Sequence, residues 1–377
     1  MFFVVLSSSK SAELYHAREI LRKSQYIAYL LMQPYMRTPS SLPRVALDAM
    51  GGDHAPEEIV AGAKLAEADG KAEILLVGDE ARIRPLLGDS RMQVIHAPAS
   101  IAMDDHPSAA LRVEDSSLAV AINLVRDGLA DAVVSAGNSG AFLAIGSVRL
   151  RKIPGIGRAA IAVVMPGRKG PVLVLDSGAN VDCRPEWLVQ FGLMGSAYAR
   201  ALLHVERPRV GIVSVGEERT KGNAQTIEAA RLLDEAPLNF IGNVEGGDLF
   251  SGLADVVVTD GFVGNVMLKL AEGAASAIIE TFTEEVMASN PLVKLGAVLM
   301  KPAMRRARGR LEYDSYGGAP LLGLRGNCIV AHGRAKRVAI RNAIAAAIAE
   351  VHEDVVGKIT ALVATTESSA ALVEESS

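Results

Sequence analysis

The chain has 377 residues, half of them hydrophobic, and a formal net charge of -4. Such a composition can bury a large core and excludes wholesale disorder. Its mild acidity and 4% aromatic content give no support for a nucleic-acid-binding surface or a single-strand stacking platform.

Residues 1–43 differ from the rest. A short helix around 12–31 precedes the breaker-rich QPYMRTPSSLP. This is an N-terminal extension or a mis-assigned start, with Met36 as the internal candidate. The folded core is expected from Arg44 or Val45. From there strands alternate with glycine or polar turns and helices. VALDAM (45–50) is a strand, 56–68 a helix, EILLVG (73–78) a strand, 80–87 a helix and MQVIHA (92–97) a strand. A single helix is predicted over 108–127, then strands at 131–136, 159–165 and 171–176. The second half repeats the rhythm: helix 185–204, strand 209–216, helix 223–235, strand 238–246 and strand 254–258 entering a polar loop. A long apolar helix runs to about 289, and 292–310 carries Lys294, Lys301, Arg305, Arg306, Arg308 and Arg310. GNCIVAHG (326–333) gives a strand and 334–353 a helix. This pattern predicts an α/β fold with layered helices around a mostly parallel sheet. Its expected division is 44–353 as the core, 262–310 as a protruding helical region and 354–377 as a polar tail.

Two cysteines, Cys183 and Cys328, are too few for a disulfide scaffold. No stretch reaches the roughly 18 uninterrupted apolar residues of a spanning helix. The opening MFFVVLSSSK lacks the basic region of a signal peptide.

Gly-polar clusters follow the predicted strands, where open α/β sheets bind ligands. DAMGGDH groups Asp48, Asp53 and His54 around Gly51 and Gly52. SAGNSGA sets Gly137, Asn138, Ser139 and Gly140 before a helix, whose first amides can hold phosphate. A tight turn with a helix cap explains the same residues. DSGANVDCRPEW carries Asn180, Cys183 and Arg184. Arg184 suits an anion, and nothing in the sequence lowers the Cys183 pKa. Lys221 and Asn223 in GEERTKGN suit a phosphate or a carbonyl, or belong to a charged solvated turn. Asp260 and Asn265 in TDGFVGN orient substrate or cap the next helix. YDSYGGAPLLG offers an acyl lining or a piece of core, and His332 can exchange a proton near neutral pH or serve packing. There is no CxxC, HExxH or GxxxxGK[ST], and GIGRAA (155–160) follows no clean strand, so neither metal nor cofactor is expected.

VALDAMGGDHAP, SAGNSGA, LDSGANVDCRPEWLVQFGLMG, VGEERTKGN, VVTDGFVGNVMLK, YGGAPLLG and VAHG occur together in this order. On these landmarks, from Val45 to Glu353, the chain resembles the bacterial phosphate acyltransferases, the PlsX fatty acid/phospholipid synthesis proteins. The resemblance implies a fold similar to the isocitrate/isopropylmalate dehydrogenase-like fold and to the phosphate acetyltransferases. It implies transfer of a long acyl group from acyl carrier protein to inorganic phosphate, giving acyl phosphate and free carrier protein. The product feeds the acyltransferase that acylates glycerol 3-phosphate. It also implies a cytosolic homodimer associated peripherally with the inner face of the membrane. Catalytic residues carried over are Lys221, Asn223, Asp260, Asn265 and His332. Substrate-binding residues are Asp48, Gly51, Gly52, Asp53, His54, Gly137, Asn138, Ser139, Gly140, Asn180 and Arg184. Ser139 stands where the family commonly has threonine, which keeps the hydroxyl.

A thioester needs no covalent enzyme intermediate, so phosphate is expected to attack it directly while the enzyme positions it and stabilises charge. The cations of 294–310 suit anionic lipid or an acidic carrier protein, or form a solvated turn beside a dimer-interface helix. Competing readings are transfer from acyl-coenzyme A, a dehydrogenase of similar fold and a non-catalytic membrane scaffold.

Overall fold

The computed structural model describes residues 42–311 and 317–375; the side chains of 305–311 and 367–375 lie outside the description. The helix and the Met36 start read within residues 1–41 lie outside the described residues as well.

Long apolar runs form the strands, and their pairing divides the sheet into two halves. The first half holds β1 (Arg44–Asp48), β2 (Glu73–Gly78), β3 (Gln93–His96), β4 (Ala132–Ser135) and β11 (Asn327–Val330), all parallel. The second holds β6 (Val172–Leu175), β7 (Arg209–Val213), β8 (Asn239–Val244) and β9 (Val256–Val258), parallel to one another. Between them lie β10 (Ala319–Leu322) and β5 (Ala160–Met165), giving the order β3-β2-β1-β4-β11-β10-β5-β6-β9-β7-β8. β10 is antiparallel to β11 and to β5, and β5 is antiparallel to β6. These three reversals make the halves run in opposite directions.

The registers fix where each half ends. Val330, the last residue of β11, pairs with Ala319. Leu321 pairs with Ile161, so the row through Ala319 continues to Val163. Val163 pairs with Val174 and Val174 with Val257; Val174 and Val257 each lie one residue short of their strand's end. The carboxyl ends of both half-sheets therefore meet on one row.

The helices, in chain order, are α1 (Glu57–Asp69), α2 (Glu80–Leu87), α3 (Pro107–Ala110), α4 (Ser117–Arg126), α5 (Ser139–Arg149), α6 (Pro185–Leu202), α7 (Ala224–Glu235), α8 (Gly261–Ala288), α9 (Pro291–Leu311), α10 (Arg337–His352) and α11 (Val355–Glu375). On the first half-sheet, Ile59 and Ala63 of α1 pack with Ile340 and Ile344 of α10. Leu118 and Ile122 of α4 pack with Phe142 and Ile145 of α5 in a separate cluster. On the second half-sheet, Phe191 and Met194 of α6 join Ile359 and Val363 of α11. A fourth cluster sets Val163, Val174 and Val257 against Met267, Leu268 and Ala271 of α8. Burial on both faces explains why the strands read as continuous apolar runs.

Several local expectations change. The helix read over 108–127 is interrupted, because Ser116 turns out of the helix and its Oγ accepts from Ala119 N at 3.3 Å, capping α4. APLL is a strand, buried throughout, between the positive-φ residues Gly318 and Gly323. The segment read as a polar tail forms α11, with Val355, Ile359 and Val363 in the core. Helix α8 leaves the body along its length. Leu270, Ile278, Phe282 and Met287 on it are exposed, as are Leu292, Leu295, Val298 and Leu299 on α9. Among the described residues α8 alone is long and apolar enough to cross a membrane.

Glu350 of α10 is 2% exposed, lies near Tyr198 and Cys328, and leaves its Oε1 without a hydrogen-bond partner. Burial pushes its carboxyl pKa up to about 8. The folded chain then holds a proton that the unfolded chain loses near the ordinary glutamate value of roughly 4.3. The stability contributed by the neutral carboxyl is full below that value and is lost as pH rises towards 8. The expected slope approaches about -1.4 kcal/mol per pH unit. Urea unfolding of Glu350→Gln between pH 5.5 and 8 is expected to lack this slope; a slope equal to that of the unaltered protein would exclude Glu350 as its source.

Candidate active site

Three loops of the first half-sheet are bound together at its carboxyl edge. Asp48 ends β1 and is buried. Ser135 Oγ donates to its Oδ2 at 2.7 Å and Met50 N to its Oδ1 at 3.1 Å. Gly137 N in turn donates to Ser135 Oγ at 3.0 Å. Burial raises the Asp48 carboxyl above its usual range, and hydrogen bonds from Ser117 and Ser135 offset part of that rise. Glycine is required at position 51, where a Cβ would stand 2.6 Å from Asp48 Oδ2 and 2.8 Å from Gly137 N. Asp53 N donates to Gly333 O at 2.8 Å, which ties in the loop after β11.

The second half-sheet uses another buried carboxylate. Asp176 Oδ1 accepts from Ile161 N at 3.0 Å, Gly178 N at 3.2 Å and Ala179 N at 3.0 Å. Its Oδ2 accepts from Asn180 N at 2.7 Å and Asn180 Nδ2 at 2.8 Å. Burial raises this pKa too, with the amide donors opposing. Gly261 N donates to Asn180 O at 2.7 Å, and Gly264 packs so close to the Asp176 carbonyl that a side chain has no room. The start of α8 is thereby fastened to the 176–183 loop.

Between the two groups lies a cleft of ≈ 770 Å³. Asp53, Gly137, Ser139 and His332 line it from the first half, Ser177 and Asn265 from the second. Asn265, Leu268, Lys269, Glu272, Gly273 and Ser276 recur at helical spacing and form one wall over three turns of α8. Val163, Ala319 and Val330 of the shared row, with Ile161 two residues before Val163 on β5, add an apolar floor. Ser139 and Gly140 open α5, where the first amides have no intrahelical acceptor. Such amides suit an anion, as does the cationic Lys269, which pairs with Glu272 at 2.8 Å. His332 Nδ1 accepts from Arg334 N at 3.1 Å, which places the proton of a neutral ring on Nε2.

Other candidates read from sequence have local duties. Asn138 Oδ1 caps α5 through Ala141 N at 2.9 Å, while its Nδ2 donates to Met103 O at 3.1 Å and Asp105 O at 2.8 Å. Asn223 caps α7 through Thr226 N at 2.8 Å, and Asp260 caps α8 through Val263 N at 2.8 Å. Asn180 is buried, donating also to Ala159 O at 2.8 Å. Arg184 sits over the Trp187 ring, 5.5 Å from its centroid. Lys221 lies in the loop after β7, one strand beyond β9, and does not line the cleft; nor does His54, in the exposed turn before α1. Cys183 Sγ is 3.6 Å from Asn180 O, and burial, with Asp176 and Asp260 nearby, pushes its pKa up to about 12. Ser177, Lys269 and Arg334 also line the cleft and are not among the residues expected from sequence. Lys269 was discoverable from its spacing, one turn after Asn265; Ser177 and Arg334 carry no such signal.

The family model for fatty acid synthesis proteins matches residues 43–358. A phosphate acyltransferase of Pelotomaculum thermopropionicum is 50% identical over 306 residues, covering 80% of this chain and 89% of its own. One of Myxococcus xanthus is 50% identical over 326 residues, covering 84% and 92%. Among solved structures, a Streptococcus pyogenes phosphotransacetylase is similar with a TM-score of 0.59 at 16% identity, covering 83% of this chain and 95% of its own. The EutD phosphotransacetylase of Staphylococcus aureus reaches 0.55 at 16% identity, covering 82% and 94%. These structures show the fold alone. They correct the expected isocitrate/isopropylmalate dehydrogenase-like fold: the architecture is phosphotransacetylase-like. Alternating strands and helices specify the class, whereas the path among strands, invisible to that pattern, separates one α/β fold from another.

The close approach at Gly51 gives a direct check. Gly51→Ala is expected to destabilise the fold by about 1–3 kcal/mol in urea unfolding. Gly247→Ala, where an added Cβ meets nothing within 4 Å, serves as the reference. Equal stabilities for the two variants would mean that the 48–54 and 135–140 loops are not held together as described.

Proposed function

The chain belongs to the phosphate acyltransferase family of fatty acid synthesis proteins and is a phosphate acyltransferase of lipid metabolism; from that premise we propose that its acyl donor is long-chain acyl carrier protein. The acceptor is inorganic phosphate, and the products are acyl phosphate and free carrier protein. One observation carries this reading. The cleft brings the amide start of α5 beside an apolar floor and a helical wall, a combination that suits phosphate together with an acyl chain.

Phosphate is held by the Ser139 and Gly140 amides, with Lys269 and Asn265 facing it. A phosphate oxygen attacks the thioester carbonyl, forming a C–O bond, and the C–S bond breaks as the thiolate leaves. His332, with its Nε2 proton, protonates that thiolate or steadies the oxyanion. Lys269 takes the cationic role that the sequence resemblance gave to Lys221. Asp260 and Asn223 act by fixing helix starts, and Asp48 and Asp176 by holding loops. Cys183 takes no part, because a thiol of such high pKa is almost wholly protonated at neutral pH. Acyl-coenzyme A is the competing donor.

The protein works as a homodimer at the inner face of the cell membrane, feeding acyl phosphate to the acyltransferase that acylates glycerol 3-phosphate. Exposed apolar side chains on α8 and α9 support peripheral contact, and Lys294 and Lys301 add positive charge. The α8 face that lines the cleft argues against insertion across the bilayer.

Purified protein with acyl carrier protein substrate and inorganic phosphate is expected to yield acyl phosphate, detected directly by mass spectrometry. Cys183→Ala should retain full turnover, and His332→Ala should lose roughly 10²-fold in kcat. An acyl-Cys183 species on the productive path, caught by rapid quench, would refute direct attack. Preference for acyl-coenzyme A in kcat/KM would overturn the donor assignment. In a separate assay, neutralising the cations of 294–310 is expected to release the protein from anionic liposomes; full retention would reject an electrostatic contact.

A further inference from the structure

The segment from the last residue of α5 towards β5 reads RLRKIPGIGR over 149–158 and holds four cations, Arg149, Arg151, Lys152 and Arg158, with no acid. It is pinned in place. Ile153 N donates to Gly323 O at 3.0 Å, Gly157 N to Gln190 Oε1 at 2.8 Å and Gln190 Nε2 to Gly155 O at 2.8 Å. These contacts give the GIGRAA glycines a structural duty in place of a dinucleotide.

At its far end the loop borders an open groove of ≈ 900 Å³ lined by Arg126, Arg149, Arg151 and Arg325, with Glu114 as the one acidic residue in the lining. Arg126 is neutralised by Asp127 at 2.7 Å. Arg149 donates to the neutral Asn123 Oδ1 at 2.9 Å and Arg325 to the Lys152 carbonyl at 3.1 Å, so both keep their charge. At the near end the Arg158 and Arg184 guanidiniums lie 4.9 and 5.5 Å from the centroid of the Trp187 ring. Arg158 precedes Ala159, which bonds to Asn180, and Ile161, which lines the cleft. Helix α5 connects the two ends: it starts at the cleft and reaches Arg149 after 11 residues, roughly 16 Å.

We propose that this basic belt is the docking surface for the acidic acyl carrier protein, an inference that rests on the donor assigned above. The cations are spread along a ridge on several elements, which suits carboxylates on a protein surface better than one compact polyphosphate. Guanidiniums bind carboxylates through paired N–H donors, and a ridge of one sign steers an oppositely charged partner. The belt lacks the dense exposed apolar side chains of α8 and α9, which separates it from the lipid-facing surface. A carrier seated there places its thioester arm beside the cleft.

The test is the double variant Arg151→Glu/Arg325→Glu, with Arg151→Lys/Arg325→Lys as its charge-preserving partner. Binding of deacylated holo-carrier protein is read by fluorescence anisotropy, which needs no turnover. The glutamate variant is expected to weaken binding and raise the KM for acyl carrier protein tenfold or more, with kcat within twofold. The lysine variant should retain most of the affinity, and added salt should narrow the difference. An unchanged carrier KM in the glutamate variant, or an equal rise in KM for acyl-coenzyme A, would overturn the proposal. Thermal unfolding of both variants separates a docking defect from a folding defect. An unaltered protein that binds carrier through the belt yet forms no acyl phosphate would refute the donor assignment and leave the docking surface standing.

Discussion

The antiparallel pairing of β10 with β5 is the constraint on which the candidate cleft depends. Each half-sheet alone is a parallel array whose carboxyl edge gathers loops, as in any open α/β sheet. Had the halves run the same way, their loops would share one long edge. Here they run oppositely, and β10 and β5 overlap so that Val330, Ala319, Val163 and Val174 share a row. Two carboxyl edges thus face each other across a short apolar floor. A slip of one residue in this pairing would turn every side chain of the slipped strand to the other face.

The chemistry follows from that convergence. One edge supplies helix amides with no intrahelical acceptor and a histidine whose Nδ1 accepts from Arg334 N, leaving Nε2 to face a ligand as donor. The other supplies Asn265 and Lys269 along a helical wall. The two buried carboxylates that hold these edges, Asp48 and Asp176, spend their oxygens on loop amides and hydroxyls. They act by geometry, which suits the proposed attack of phosphate on a thioester, where a good leaving group is already present and positioning does most of the work. Net charge is as poor a guide to contacts as to chemistry, for a chain of overall charge -4 gathers basic residues in the α5–β5 segment and within the sequence 294–310.

Much of this was legible in the residues. Runs such as EILLVG and DAVVSA identify themselves as buried strands by length and flanking turns. The loops holding Asp53, Gly137, Ser139, Asn265 and His332 were placed at strand ends, and these residues do line the cleft. Strand direction was not legible, because APLL and AAIAVVM carry no local mark of the neighbour they pair with. Ser116 ended a helical pattern that hydrophobic spacing alone would continue. Asn138, Asn223 and Asp260 show why polar residues after strands are ambiguous: the position that faces a ligand also caps the next helix. Lys269 carries no loop signature, because it lies inside a helix, away from the glycine-rich turns at the strand ends.

The most direct test of this account is the location of bound inorganic phosphate in a crystal soaked with it. The account predicts phosphate between the Ser139–Gly140 amides and Asn265, within reach of Lys269 and His332. Phosphate bound only at the Lys221–Asn223 loop, with the cleft empty at saturating concentration, would contradict it.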